Sequence, residues 1–159
     1  MEEQNNNRQK ILSLVNTEFE IRPGKPYPFG ANLVRGGINF AIYAPRARVL
    51  SLVVFDRCST DVLMEFPLDA RLNRTGDVWH AFIAGLDAGI RYGYRVICDA
   101  DFKDPSPACK GEVILLDPYA KATCGGDTWG RPLKIERDGK EHTFRLSLIV
   151  DDYFDWGND

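Results

Sequence analysis

The residues of this chain that could perform chemistry are first of all its acids. A pair of carboxylates can act as general acid and base, or as acid and nucleophile. Four aspartates in the second half of the chain could supply such a pair: Asp117, Asp151, Asp152 and Asp155. None of them stands in a recognisable catalytic context, and turn, capping and surface roles account for each. We therefore predict no catalytic residue in this chain.

Metal binding is the second chemistry to consider, and the spacing of the possible ligands argues against it. The cysteines, none of which forms a C-x-x-C pair, are Cys58, Cys98, Cys109 and Cys124. The two histidines, His80 and His142, are far apart. Zinc sites use closely spaced ligand pairs, so we predict no metal and no cofactor. We interpret the cysteines as reduced thiols, with a Cys98–Cys109 loop disulfide as the alternative.

The strongest structural pattern lies in residues 78–96. The first half alternates, with Trp79 and every second residue after it on one face, which is typical of a β-strand. Residues 85–89 begin and end with glycine and predict a turn. The second half alternates again, with Tyr92 and Tyr94 on one face. We interpret the stretch as an antiparallel hairpin at the centre of a β-domain.

Further strand signals follow one another along the chain, separated by clusters of Gly, Pro, Asn and Asp. Residues 49–55 are a near-continuous apolar run, which predicts a strand buried on both faces. Residues 63–68 predict an edge strand because Pro67 cannot donate to a ladder. Residues 113–116 predict a last buried strand. Such spacing without a βαβ pattern predicts an all-β sandwich.

The pattern divides the whole chain into three parts. Residues 1–20 are expected to form a polar N-terminal arm, residues 21–125 the β-sandwich, and residues 126–159 an irregular C-terminal extension. Within that extension, residues 133–142 predict a hairpin around Asp-Gly, a strong turn signal.

The composition excludes several classes of function. A hydrophobic fraction of 44% and a charged fraction of 27% are those of an ordinary globular protein. The net charge of −3 gives no reason to expect a nucleic acid partner. No apolar run approaches the roughly 20 residues of a membrane helix, and the acidic, polar start of the chain is not a secretory signal. We therefore expect neither nucleic acid nor membrane as a partner.

Six short motifs nevertheless point to a family. In chain order they are PFGA at 28–31, GINFAIY at 37–43, TGDVWH at 75–80, YGYRV at 92–96, LLDPYAKA at 115–122 and FDW at 154–156. Together they closely resemble the N-terminal domain of isoamylase-type and glycogen-debranching enzymes of glycoside hydrolase family 13, classed as carbohydrate-binding module family 48. The resemblance implies an immunoglobulin-like β-sandwich of the early-set type, which precedes a catalytic barrel.

For the whole enzyme, the resemblance implies hydrolysis of α-1,6 branch linkages in starch, glycogen or their limit dextrins. That chemistry belongs to a (β/α)₈ barrel with an aspartate nucleophile and a glutamate acid/base, as in retaining glycosidases. Such a barrel takes about 250 residues, which this chain does not contain. Residues 126–159 are accordingly expected to lead toward the barrel. The expected location is the cytoplasm, or the plastid stroma in a plant or alga.

As a sugar-binding module, the domain would stack aromatic rings on pyranose faces. The candidates for this role are Trp79, Tyr92, Tyr94, Arg95 and Trp129. The alternative for Tyr92 and Tyr94 is a place in the core, and Trp79 could fill the core or pack on the barrel. Glycogen-binding members of the family resemble one another in carrying a tryptophan pair, whereas residues 55–58 and 101–103 have no tryptophan at the corresponding places. We therefore expect weak α-glucan binding.

A docking role is the interpretation we favour, with the catalytic barrel of the same polypeptide as partner. The candidate barrel-docking residues are Asp117, Pro118, Tyr119, Phe154 and Trp156. Two alternatives stay open, a free-standing glycogen- or starch-binding module and the N-terminal domain of a glucan branching enzyme. An adhesion domain is disfavoured because the Cys–Trp–Cys pattern of such domains is absent from the sequence.

Overall fold

The computed structural model describes residues 19–55, 62–98, 107–125, 133–137 and 140–151. These ranges form two antiparallel sheets and a separate hairpin. The strands are β1 Ile21–Pro23, β2 Gly30–Val34, β3 Gly37–Tyr43, β4 Ala47–Phe55, β5 Val62–Pro67, β6 Arg74–Thr75, β7 Val78–Ala84, β8 Arg91–Cys98, β9 Ala122–Cys124, β10 Leu133–Arg137, β11 Lys140–Phe144 and β12 Leu146–Leu148. A 3₁₀ turn spans Pro107–Cys109. In the described ranges no helix is long and apolar enough to span a membrane.

The two large sheets pack face to face as an immunoglobulin-like β-sandwich, as predicted. The first has the order β1-β7-β3-β2, with β6 on β7, and the second has the order β5-β4-β8-β12-β9. Alternate residues of both sheets meet in one core; Ile38 and Phe40 come from β3, and Leu50 and Leu52 from β4. The period of two in the sequence is therefore the alternation between core and outer face.

Strands β4 and β5 behave as their patterns predicted. On β4, Leu50 and Leu52 face the main core, whereas Val53 and Phe55 face a second, smaller cluster on the outer side of the sheet. Strand β4 is thus buried on both faces. Strand β5 ends at Pro67 and forms the edge of its sheet, where a residue without an N–H is tolerated. The predicted hairpin in residues 133–142 is also present, as β10 paired with β11.

The predicted central hairpin is wrong. Strand β7 pairs with β3 and β1, and β8 pairs with β4 and β12, so the two strands lie in different sheets. Their connection is an arch across the top of the core rather than a tight turn. Leu86 and Ile90 within it are only 3% and 6% exposed, because a crossing between two layers passes over the apolar interior.

Three further predictions need correction. Residues 113–116 form no strand. Leu115 makes only an isolated bridge to Tyr94, on the same edge of β8 with which β12 pairs. The sandwich does not end at residue 125, because β12 lies between β8 and β9 and Ile149 belongs to the core. Cys98 and Cys109 form a disulfide, where we had predicted free thiols. The antiparallel bridge between Ile97 and Lys110 brings the two cysteines together, and the spacing alone could not establish this.

Candidate functional site

Three of the four aromatic candidates for sugar stacking lie in the interior of the sandwich. Trp79, Tyr92 and Tyr94 are 1%, 0% and 1% exposed. The Trp79 indole N–H donates to the Ala44 carbonyl over 3.3 Å. A ring with no exposed face cannot stack on a sugar. Burial therefore supports the core alternative for all three, and they leave the set of binding candidates.

Arg95 lies on the outer face of β8, and its guanidinium is already engaged. Its Nε lies 3.2 Å from Glu65 Oε2 across the sheet, and one of its terminal nitrogens donates to the Gly111 carbonyl over 3.2 Å. Arg95 thus ties β8 to β5 and to the segment after the 3₁₀ turn. The remaining sugar-binding candidate, Trp129, lies outside the described residues, as do the docking candidates Phe154 and Trp156.

Asp117 is the centre of a buried polar network that joins several of the described elements. The Tyr92 hydroxyl donates to Asp117 Oδ2 over 2.8 Å, and the Tyr119 backbone N–H donates to Asp117 Oδ1 over 2.8 Å. The Asp117 backbone N–H donates to Ser147 Oγ over 2.9 Å. Ser147 stands opposite Tyr92 across the β12–β8 pair. Asp117 therefore holds the 117–120 turn onto two strands of the second sheet.

Burial shapes the acidity of this network. Asp117 is 4% exposed, and desolvation raises the pKa of its carboxyl although the hydrogen bonds from Tyr119 and Tyr92 oppose this. Desolvation, with the nearby Asp117 charge, also raises the pKa values of Tyr92 and Tyr94. In the described part of the chain, the Tyr94 hydroxyl has no hydrogen-bond partner. The prediction that Asp117 is a docking residue is wrong, because its carboxylate points into the protein and cannot reach a partner.

The neighbours of Asp117 on the same turn are exposed instead. Pro118 is exposed, and Tyr119 is 38% exposed. The Tyr119 ring packs on Phe29 with a centroid separation of 4.7 Å and an interplanar angle of 37°. Phe29 in turn meets Tyr27 at 6.1 Å and 70°, and Tyr27 is 74% exposed. We call Tyr27, Phe29 and Tyr119 the three-ring surface.

A close backbone approach brings the two halves of this surface together. Gly30 begins β2 at φ +85°, and a Cβ there would lie 2.6 Å from the Tyr119 carbonyl oxygen, so only glycine fits. The Asn32 amide donates to the carbonyls of Pro28, Phe29 and Gly30. These contacts hold the proline-rich lead-in in one conformation beside the turn.

Sequence reasoning missed Tyr27 and Phe29 as surface residues. It placed this segment in the sandwich of residues 21–125 and gave no role to Tyr27 and Phe29, which alternate with Pro26 and Pro28. Proline fixes its own φ and restricts the residue before it, so the alternation indicated a stiff segment whose aromatic side chains have few available arrangements. Without the fold, nothing linked this segment to residue 119.

The described residues offer no arrangement for hydrolytic or metal chemistry. Among them no group of three or more His, Cys, Asp and Glu side chains lies close enough to hold a metal. His80 is buried on β7, where its Nε2 lies 2.8 Å from Thr75 Oγ1 and desolvation lowers its pKa. The geometry suits packing and recognition: a rigid sandwich, one buried carboxylate and one exposed aromatic surface.

Comparisons with known proteins identify the family of this β-sandwich. A sequence model of carbohydrate-binding module 48, the isoamylase N-terminal domain, matches residues 28–120. Isoamylase 3, chloroplastic, from Oryza sativa subsp. japonica is 36% identical over 155 residues, which is 93% of this chain and 19% of that protein. The glycogen debranching enzyme of Pectobacterium carotovorum is 31% identical over 151 residues, which is 88% of this chain and 21% of that protein.

Among solved structures, the Group B Streptococcus pullulanase SAP superposes with a TM-score of 0.53 at 21% identity, over 82% of this chain and 15% of that one. At this identity the likeness concerns the fold alone. The fold, the surface and the matches define an immunoglobulin-like β-sandwich module. The chain belongs to the carbohydrate-binding module 48 family, that of the isoamylase N-terminal domain, and it spans about a fifth of the two relatives' length.

Proposed function

We propose that this chain is the non-catalytic N-terminal domain of a debranching α-1,6-glucan hydrolase of the isoamylase type, acting on starch or glycogen. The observation that carries the proposal is the 36% identity to an isoamylase over 93% of this chain. The family model matches residues 28–120 of the same chain. The (β/α)₈ barrel of the longer polypeptide would supply the two catalytic carboxylates.

In this proposal the sandwich supports the barrel and helps to shape its glucan cleft. Residues 21–125, extended by β12, would form the packed module, with residues 1–20 as an arm and the segment after the module leading to the barrel. Pro118 and Tyr119 are exposed and support a docking role for that turn. Phe154 and Trp156 remain docking candidates from their sequence alone. Cytoplasm or plastid stroma is the proposed location, and the Oryza relative is named chloroplastic.

The first test is the mass of the native polypeptide, measured by immunoblot of a source extract with an antibody against this domain. We expect a band several times larger than 18.0 kDa. A band at 18.0 kDa would contradict the proposal and point to a free-standing module.

The second test is the reaction of that polypeptide on a branched dextrin. A debranching hydrolase makes a new reducing end for each α-1,6 bond it cleaves. A branching enzyme transfers the cleaved segment, so the bond it forms leaves the number of branches higher rather than lower. We expect reducing ends to rise while branch linkages fall, followed by reducing-sugar assay and NMR of the anomeric protons. A rise in branch linkages would contradict hydrolysis and indicate a branching enzyme.

A further inference from the structure

The three-ring surface is the largest group of exposed aromatic side chains among the described residues. Tyr27 is 74% and Tyr119 38% exposed, with Phe29 half-buried between them. Leu116, on the approach to the same turn, is also 38% exposed. Prolines 26, 28 and 118 separate these side chains, so the backbone that carries them is stiff. Aromatic side chains in such a setting are the residues that dominate protein interfaces.

The surface is preorganised by buried groups. Asp117 accepts from the Tyr119 backbone N–H at one oxygen and from the Tyr92 hydroxyl at the other. Gly30 lets β2 lie directly against Tyr119. Binding through side chains that are already fixed costs less conformational entropy than binding through mobile ones. The fold therefore holds the Tyr119 backbone in place by means of a buried carboxylate.

The geometry of the rings favours a protein partner over a sugar. Successive pyranose units stack on open, nearly parallel ring faces. Here Phe29 and Tyr119 direct their rings toward each other at 4.7 Å, and Tyr27 is turned by 70° from Phe29. The rings form a ridged apolar surface rather than a flat platform, and a packed protein surface can match such a shape.

The size of the surface favours a partner tethered in the same polypeptide. Three fully exposed aromatic side chains would offer about 450–750 Å², and these three are only partly exposed. The surface is therefore smaller than the roughly 800 Å² per partner of a standard complex between separate molecules. Domains joined in one chain face each other at an effective concentration near the millimolar range, so a smaller interface suffices. The relatives, of which this chain spans 19% and 21%, are long enough to provide that partner.

We propose that the three-ring surface is the contact by which this domain packs on the catalytic barrel of its own polypeptide, with Asp117 as the positioning residue that holds Tyr119 in it. The inference rests on the proposed function and names the surface that the docking uses. It adds Tyr27 and Phe29 to the docking residues and changes the role of Asp117 from contact to support.

The test compares side-chain accessibility in the 159-residue chain and in the full-length native polypeptide by hydroxyl-radical footprinting with mass spectrometry. Tyr43 is the internal control, because it is 49% exposed on β3 and lies outside the three-ring surface. We expect labelling of Tyr27 and Tyr119 to fall at least threefold in the full-length polypeptide while that of Tyr43 stays unchanged. Equal labelling of all three tyrosines in both molecules would overturn the inference.

The same labelling separates the other occupants. Protection of Tyr27 and Tyr119 in the isolated chain that grows with protein concentration would assign the surface to a second copy and overturn the inference. Protection by added maltoheptaose in the isolated chain would assign it to glucan and also overturn it. If the native polypeptide is long and debranches but its rings are not protected, only this inference fails; a native mass of 18.0 kDa removes the proposed function as well.

Two variants of the full-length polypeptide, with Tyr43→Arg as a control, test the assignment of roles. Tyr27→Arg with Tyr119→Arg should raise the rate of proteolytic cleavage between domain and barrel at least threefold, and Tyr43→Arg should leave it unchanged. Asp117→Asn should raise Tyr119 labelling toward the value of the isolated chain at a temperature well below unfolding. Lower thermal stability of Asp117→Asn with unchanged Tyr119 labelling would mean that Asp117 has no positioning role.

Discussion

Two groups of aromatic side chains, one buried and one exposed, meet at a single carboxylate in this domain. Tyr92 and Tyr94 lie inside the sandwich, where Tyr92 packs edge-on against Phe40 at 5.2 Å. Tyr27 and Tyr119 belong to the exposed three-ring surface. Asp117 contacts both groups, since one oxygen accepts from the Tyr92 hydroxyl and the other from the Tyr119 backbone N–H.

The comparison shows that residue type does not assign a role to a tyrosine in this fold. The buried rings stabilise the domain through area removed from water, whereas the exposed rings leave that free energy available to a partner. The same substitution should therefore lower the stability of the domain when it is made in the buried group, and weaken contact with a partner when it is made in the exposed group. The following predictions run from the largest expected effect to the smallest.

Removal of a buried ring should cost the most. Tyr92→Ala deletes a fully buried side chain and leaves a cavity beside Asp117, so we expect a loss of about 3–5 kcal/mol in the free energy of unfolding. Urea denaturation followed by tryptophan fluorescence measures it. Tyr119→Ala is the matched exposed variant and should cost less than about 1 kcal/mol. Equal losses of unfolding free energy for the two variants would contradict the distinction between buried and exposed rings.

Removal of only the hydroxyl should separate the two buried tyrosines. Tyr92→Phe takes a donor away from buried Asp117, and we expect it to destabilise the domain by about 1–3 kcal/mol. Tyr94→Phe removes a hydroxyl that has no hydrogen-bond partner among the described residues and should be neutral or slightly stabilising. The same denaturation assay applies. A larger cost for Tyr94→Phe than for Tyr92→Phe would contradict the network.

The stability of the domain should depend on the ionisation of Asp117. Because burial raises the pKa of Asp117 above its ordinary value of 3.8, the folded state holds this proton more tightly than the unfolded state does. The contribution of Asp117 to stability is therefore greatest below that ordinary value and declines as the pH rises toward the raised pKa. Asp117→Asn should lack this decline. Denaturation of both proteins from pH 3 to pH 7 measures how the free energy of unfolding of each depends on pH. Parallel profiles would show that the Asp117 carboxyl does not cause the decline.

Glucan binding by the isolated domain should be the smallest effect. Three of the rings considered for sugar stacking, Trp79, Tyr92 and Tyr94, are buried. The rings of the three-ring surface are not coplanar. We expect weak or no heat of binding when maltoheptaose is titrated into the 159-residue chain by calorimetry. A micromolar dissociation constant would contradict this expectation and show that a binding surface exists on the domain.

Much of the architecture was predictable because strand patterning is local. The alternation around Trp79 and Tyr92 and the apolar run of β4 identified core strands, and Pro67 identified an edge. The family resemblance rested on short motifs whose order survives in the chain, and the match over residues 28–120 confirmed it. Side-chain period, turn residues and motif order are all properties of neighbouring residues.

Which strands pair, and which side chains reach the surface, depended on the tertiary structure. Strands β7 and β8 carry the pattern of a hairpin, yet they lie in opposite sheets, because a period of two specifies a buried face and not the neighbour that covers it. Asp117 had the same appearance as any exposed acid in a turn. Only the folded chain places Tyr92, Ser147 and Gly30 around that turn. This arrangement buries the Asp117 carboxylate and leaves Tyr119 exposed beside Tyr27 and Phe29, which precede it by ninety or more positions.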